Sequence, residues 1–135
     1  MKTHLGHIEI RVKPENLGFY ADLMAFLGWS TLYQDDAMLG VGPGEGASLW
    51  FAALANSSAN DYDGPGVNHI GIATTTQAEV DDTVAYLRSK AIPPLFETPR
   101  HRPDFAASDN ETYYQVMFES PDRVLFEVVY TGPKS

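Results

Sequence analysis

A chain of 135 residues has the length of one ordinary domain, and it can bury roughly two thirds of the surface its unfolded form exposes without disulfides or a structural metal. It contains no cysteine, which excludes disulfides, thiolate nucleophiles and zinc-thiolate sites and leaves imidazole and carboxylate as the strong ligands. A net charge of -9 disfavours phosphate backbones, so no nucleic acid is expected as partner, and neither a signal-peptide pattern nor an apolar run of about 18 residues points to a membrane.

The expected location is therefore cytoplasmic, and 44% apolar with 20% charged residues fits a soluble globular protein. The acidity serves solubility or attracts a cationic ligand.

In chain order, His7-Ile8-Glu9-Ile10-Arg11-Val12 reads as a strand with the aliphatic residues on one face and His7, Glu9 and Arg11 on the other. Asn16 is placed to cap a helix whose apolar positions Phe19, Tyr20, Leu23, Phe26 and Leu27 have helical spacing, and Gly28 supplies the stop. Three short strands follow, Ser30 to Tyr33, Ala37 to Val41 and Ser48 to Leu54, separated by turn-forming residues. Residues 56–65 are polar and rich in turn formers, a linker.

The pattern then begins again. His69-Ile70-Gly71-Ile72-Ala73-Thr74 repeats the first strand sixty-two residues on, and Thr76 or Thr75 caps a helix with Val80, Val84, Leu87 and Ala91 on one face. After a two-residue insertion Leu23 matches Leu87 and Leu27 matches Ala91. Strands at Leu95 to Glu97, Tyr113 to Glu119 and Val124 to Tyr130 complete the second set, with a long loop from Thr98 to Thr112. The chain thus reads as one α+β domain, residues 4–55 and 66–131 each forming a βαβββ module of an open, cupped mixed sheet.

Both repeated histidines begin strands, and Glu127 sits in the last apolar strand. Two imidazoles and a carboxylate suffice to hold a divalent metal with open positions, so His7, His69 and Glu127 are the candidate metal ligands. Each also has a plainer reading. A strand-end histidine can be satisfied by a backbone carbonyl, and a carboxylate between Phe126 and Val128, costly to bury alone, can be paired with Arg11. Glu9 is a candidate general base or the salt-bridge partner of Arg11. His101, between Arg100 and Arg102, either forms a cationic lid over an anionic substrate or belongs to a surface loop. Tyr113 and Tyr114 should face opposite ways, one toward the cavity; Trp50 either lines the pocket or fills space.

In these segments, with Asn16 to Trp29 after the first strand and Tyr113 to Glu127 at the end, the chain resembles the vicinal oxygen chelate superfamily: glyoxalase I, extradiol dioxygenases, fosfomycin resistance enzymes and bleomycin resistance proteins. The resemblance covers His4 to Tyr130 and implies the glyoxalase-like fold, a homodimer, and ligand positions at His7, Trp50, His69 and Glu127. A tryptophan at position 50, where glyoxalase I chemistry uses a carboxylate, argues against a typical glyoxalase I. Arg123 stands where the family commonly has glycine, and the residues that bind phosphonate in fosfomycin enzymes find no match.

The resemblance therefore implies a metal-dependent enzyme, a glyoxalase-like lyase or isomerase or an extradiol-dioxygenase-like one. It would use Fe, Mn, Zn or Ni on a small oxygenated substrate; the residues themselves add Arg11, Trp50, His101 and Tyr113 as expected substrate contacts and Glu9 beside Glu127 as an expected catalytic carboxylate. The alternative it implies is a non-catalytic small-molecule or drug-binding protein of the bleomycin resistance type.

Overall fold

The computed structural model describes residues 1–135, which form two compact units, Met1–Ala59 and Asn60–Ser135. The first carries β1 (His7–Arg11), α1 (Leu17–Phe26), β2 (Ser30–Gln34), β3 (Met38–Gly42) and β4 (Ser48–Ala52). The second carries β5 (Ile70–Thr74), α2 (Gln77–Ser89), β6 (Leu95–His101), β7 (Glu111–Glu119) and β8 (Leu125–Pro133). Each unit is thus strand, helix and three strands, and each sheet is mixed, ordered β1-β4-β3-β2 in one and β5-β8-β7-β6 in the other. In both, the first strand pairs parallel with the last and the remaining pairs are antiparallel. This is the α+β arrangement of two βαβββ modules expected from the repeat.

Register makes the duplication exact at the level of side chains. Trp50 pairs with Glu9 on one side and Gly40 on the other, while Glu127 pairs with Gly71 and Met117. Trp50 and Glu127 therefore occupy the same place in the two units, as do Glu9 and Gly71, and Gly40 and Met117. One face of each sheet is apolar and covered by its helix. In the first unit Val12, Tyr20, Leu23, Met24, Leu39, Val41, Leu49 and Phe51 are buried, with Tyr20 stacked on Phe51 at 4.4 Å between centroids. In the second, Ile72, Val80, Val84, Leu87, Val116, Phe118, Phe126 and Val128 fill the core. The matched leucines Leu23 and Leu87 are both fully buried.

Local chemistry accounts for the elements and for where they depart from expectation. Thr76 accepts a hydrogen bond from the Glu79 N–H while the Glu79 carboxylate accepts from the Thr75 and Thr76 N–H groups, a reciprocal cap on α2. Asn16 precedes α1 without a side-chain cap bond; a single helical turn, Pro14–Asn16, leads into the helix instead, started by the fixed φ of Pro14. Phe26 is exposed, and Ala91 lies beyond α2 with φ 56°, outside the buried face assigned to it. β6 does not stop at Glu97: a bulge between Leu95 and Arg100 lets the strand continue to His101. The expected long loop shrinks accordingly to a short turn at Pro103–Phe105 and the residues leading into β7.

Candidate functional site

β8 is apolar on both faces near its start, yet Glu127, its third residue, is only 4% exposed. A buried carboxylate must be matched by donors, and β7 supplies them. Side chains two apart on a strand share a face, so Tyr113 and Gln115 both project beside Glu127. The Tyr113 hydroxyl donates to Oε1 and Oε2 at 2.9 and 3.0 Å, and Gln115 Nε2 donates to Oε2. The Gln115 carbonyl in turn accepts from Arg102 at 3.3 Å. Burial, and then the hydrogen bond to the carboxylate, push the Tyr113 hydroxyl up to about 12, so it remains a donor at neutral pH. Gly71 gives Glu127 room: a Cβ there would lie 3.4 Å from Oε1.

His69 ends just before β5, and its Nε2 stands 3.7 Å from Glu127 Oε1. Its orientation follows from a chain of two bonds. Asn68 donates its amide N–H to the Tyr62 carbonyl at 2.8 Å, which turns the Asn68 carbonyl oxygen toward His69 Nδ1, also at 2.8 Å. An acceptor at Nδ1 fixes the proton there. In the neutral ring the Nε2 lone pair then faces the buried carboxylate, two acceptors with no proton between them, and a cation is what such a pair can hold. A separation of 3.7 Å is one that a single ion with ligand distances of about 2.1 Å can span. The donor set, one imidazole nitrogen and one carboxylate oxygen with a spare lone pair, fits a divalent metal. Neither unit alone gathers three histidine, aspartate or glutamate side chains at coordinating spacing.

These groups open onto a cavity of about 370 Å³ in the second unit, which Arg100, Arg102, Phe96, Phe105, Met117 and Leu125 also line. Tyr62 reaches it too, although it lies within the expected linker: it is buried, bonded through its hydroxyl to Glu119 and covered by the Arg123 guanidinium at 5.1 Å. The linker from Asn60 onward is therefore docked on the second unit rather than free of it.

Of the other expected site residues, His7, Glu9, Arg11 and Trp50 belong to the first unit and His101 to the second. His7 opens β1, exposed, on the face it shares with Glu9 and Arg11. Glu9 and Arg11 pair with each other at 2.6 Å, so Arg11 is engaged by Glu9 while the Glu127 carboxylate takes its bonds from Tyr113 and Gln115. Trp50 lies flat over Gly40, donates to Ser48 Oγ at 3.0 Å and sits 6.4 Å from the Tyr33 ring. His101 pairs in register with Tyr114, on the sheet face opposite Glu127; its ring lies 4.5 Å from that of Tyr114 and its Nδ1 meets Thr112 Oγ1. Tyr114 turns toward α2, where it bonds Asp81 at 2.6 Å, so the two tyrosines do face opposite ways. Gln115, Asn68, Arg100 and Arg102 were not singled out from sequence as site residues. Gln115 was legible, because the period of two that places Tyr113 beside Glu127 places Gln115 there as well.

No helix of the chain is long and apolar enough to cross a membrane. No family profile and no curated protein sequence matches the chain. Among solved structures it is similar to a candidate glyoxalase from Bacillus halodurans, with a TM-score of 0.75 and 24% identity over 93% of this chain and 94% of that one. It is similar also to lactoylglutathione lyase from Agrobacterium tumefaciens, with a TM-score of 0.66 and 16% identity over 96% and 95%. A fosfomycin resistance protein from Listeria monocytogenes gives a TM-score of 0.66 and 19% identity over 96% and 94%. The chain thus shares the fold of these glyoxalase, lactoylglutathione lyase and fosfomycin resistance structures.

Proposed function

We propose that the chain is a metal-dependent enzyme of the vicinal oxygen chelate type, acting on a small oxygenated substrate. His69 and Glu127 hold the ion, and His7, nominated by the sequence repeat and the resemblance, is the third ligand, supplied by this chain or by a second copy in a homodimer. The observation that carries this reading is the His69 ring, held at Nδ1 by the Asn68 side-chain oxygen at 2.8 Å with its Nε2 set 3.7 Å from a buried carboxylate. When bound, a divalent ion of Fe, Mn, Zn or Ni supplies a Lewis acid that stabilises negative charge on substrate oxygen.

The chain's own residues do the rest. Tyr113 and Gln115 hold Glu127 in one orientation, and Asn68 holds the His69 ring, the outer shell that sets ligand geometry and basicity. Glu9, the candidate proton acceptor of the first unit, is oriented by Arg11.

Metal analysis of protein purified without chelator tests the proposal: the parent chain should carry close to stoichiometric metal, and His69→Ala and Glu127→Gln should lose it. Unchanged metal content in both variants would sink the idea. Glu127→Gln keeps the shape and most hydrogen-bonding capacity, so its loss of metal is not a packing effect.

A second reading, non-catalytic capture of a cationic small molecule, is favoured by Trp50. It lays an aromatic face where the duplication would otherwise repeat the carboxylate, and aromatic faces attract cations. Thermal shifts with divalent metals and with cationic glycopeptides separate the two, because only a selective binder of the folded state raises the melting temperature.

A further inference from the structure

The cavity beside Glu127 holds a weakly matched cation. Only five arginines occur in this acidic chain, and two of them, Arg100 and Arg102, line the same 370 Å³ space. They are not equivalent. Arg102 is matched: it meets Asp104 through Nε at 3.2 Å and a terminal nitrogen at 2.9 Å, donates to Gln115, and lies 4.3 Å over the Phe105 ring. Arg100 makes one ion pair, 3.9 Å to Glu97, a side chain 90% exposed and therefore screened. Its Nε is shut off from solvent with no hydrogen-bond partner. An unmet charged donor destabilises the protein, a cost that a binding site recovers when its ligand arrives.

Register gives the spacing. Arg100 pairs across from Gln115 of β7, and Glu127 stands on β8, so the two residues are two strands apart, about 10 Å in the hydrogen-bonding direction. Gln115 and Met117 of β7 stand between them, and Leu125 and the Phe105 ring, set edge-on to Tyr113 at 5.3 Å, add apolar surface to the same cavity. A molecule filling this space would have polar oxygens at the Glu127 end, a compact apolar body, and a negative group at the Arg100 end.

From this arrangement we propose that Arg100 is a specificity-determining residue that binds the carboxylate of an organic acid, so that the substrate is a small carboxylate with an apolar body. Planar guanidinium matches carboxylate with two parallel hydrogen bonds, an arrangement a lysine cannot make. The substrate assignment rests on the function proposed above; the anion site does not require the metal.

The test therefore begins without metal. In chelator-treated protein, isothermal titration with benzoate and with benzamide, its neutral isostere, compares a charged with an uncharged ligand of the same shape. Benzoate should bind about 10-fold more tightly, the worth of one charge-assisted contact. Arg100→Gln, which keeps most of the stem, should abolish that preference while leaving benzamide affinity within about twofold, and Arg100→Lys should restore only part of it. Equal binding of the two ligands by the parent protein, or a preference that survives Arg100→Gln in a variant of unchanged melting temperature, overturns the proposal. Repeating the titration with zinc, nickel or manganese separates the two claims. A benzoate preference that depends on Arg100 in protein that takes up no metal upholds the anion site and defeats the metal reading alone.

Discussion

The Tyr113 hydroxyl lies between the two oxygens of Glu127, 2.9 Å from one and 3.0 Å from the other, so a single donor on β7 spans the only buried carboxylate of the core. Removing it with Tyr113→Phe should cost about 1–2 kcal/mol in urea denaturation, because Glu127 is left short of a donor inside the sheet. The same contact has an alkaline signature. Tyr113 and Tyr114 are both raised from 10.0 to about 12, the first by burial and then Glu127, the second by burial and then Asp81. A raised folded value means stability that is whole below the unfolded pKa and is lost as pH rises through the folded one. The melting temperature should therefore fall between pH 10 and 12, and less steeply in Tyr113→Phe; a parallel fall would show that Tyr113 takes no part.

Asn68 provides a way to perturb His69 without touching it. Asn68→Ala removes the acceptor at Nδ1, so the ring loses the bond that selects its tautomer. In metal-loaded protein this should weaken affinity about 10- to 100-fold, the usual effect of deleting a partner that orients a metal ligand. Nitrogen NMR of the imidazole gives an independent readout. The parent chain should show its proton on Nδ1, and the variant a mixture of tautomers. A spectrum with the proton on Nε2 in the parent chain would remove the basis for assigning His69 as a ligand.

Much of this was legible in the sequence, because the physics was local or periodic. The repeat of His7-Ile8-Glu9-Ile10 as His69-Ile70-Gly71-Ile72 gave two modules, and alternation along the strands set Tyr113 and Tyr114 on opposite faces. Thr76, one of the two caps offered, marked the start of α2. What alternation does not carry is which neighbouring strand supplies a partner. Charge alone offers Arg11 to Glu127, yet register brings Tyr113 and Gln115 to it, while Arg11 pairs with Glu9 two residues away on its own strand. The lid drawn from His101 met the same obstacle. A bulge after Leu95, with Phe96 and Glu97 at positive φ, sets the register of Arg100 and His101, so that Arg100 shares a face with Gln115 and His101 turns to Tyr114. The docking of Tyr62 on Glu119, fifty-seven residues on, has no signal in a segment that otherwise reads as a polar linker.

Gly40 is the residue that lets Trp50 lie flat. A Cβ there would approach ring atoms of Trp50 to 2.4, 2.6 and 2.7 Å, far inside van der Waals contact. Gly40→Val should push the indole off the sheet, costing about 1–3 kcal/mol in stability as expected of overpacking. It should also shift Trp50 fluorescence toward longer wavelength, read against a Trp29→Phe background so that one indole reports. Unaltered emission would mean that the ring does not rest on β3.

The cap of α2 sets an acid limit on stability. The Glu79 carboxylate is held below its usual 4.5, first by the Thr75 backbone N–H and then by the Thr75 hydroxyl and the Thr76 N–H. A lowered folded value gives stability that is whole above the unfolded pKa and is lost as pH falls through the folded one. Asp35, held down first by the Tyr33 hydroxyl, and Asp104, held down first by Arg102, act in the same direction. Unfolding by urea should therefore become easier from about pH 5 downward. Glu79→Gln should flatten the part of that slope due to the cap, while Thr76→Ala, which removes the hydroxyl acceptor from the Glu79 N–H, should cost about 1 kcal/mol at neutral pH. If Glu79→Gln keeps the full acid slope, the cap is not its source and the two aspartates carry it.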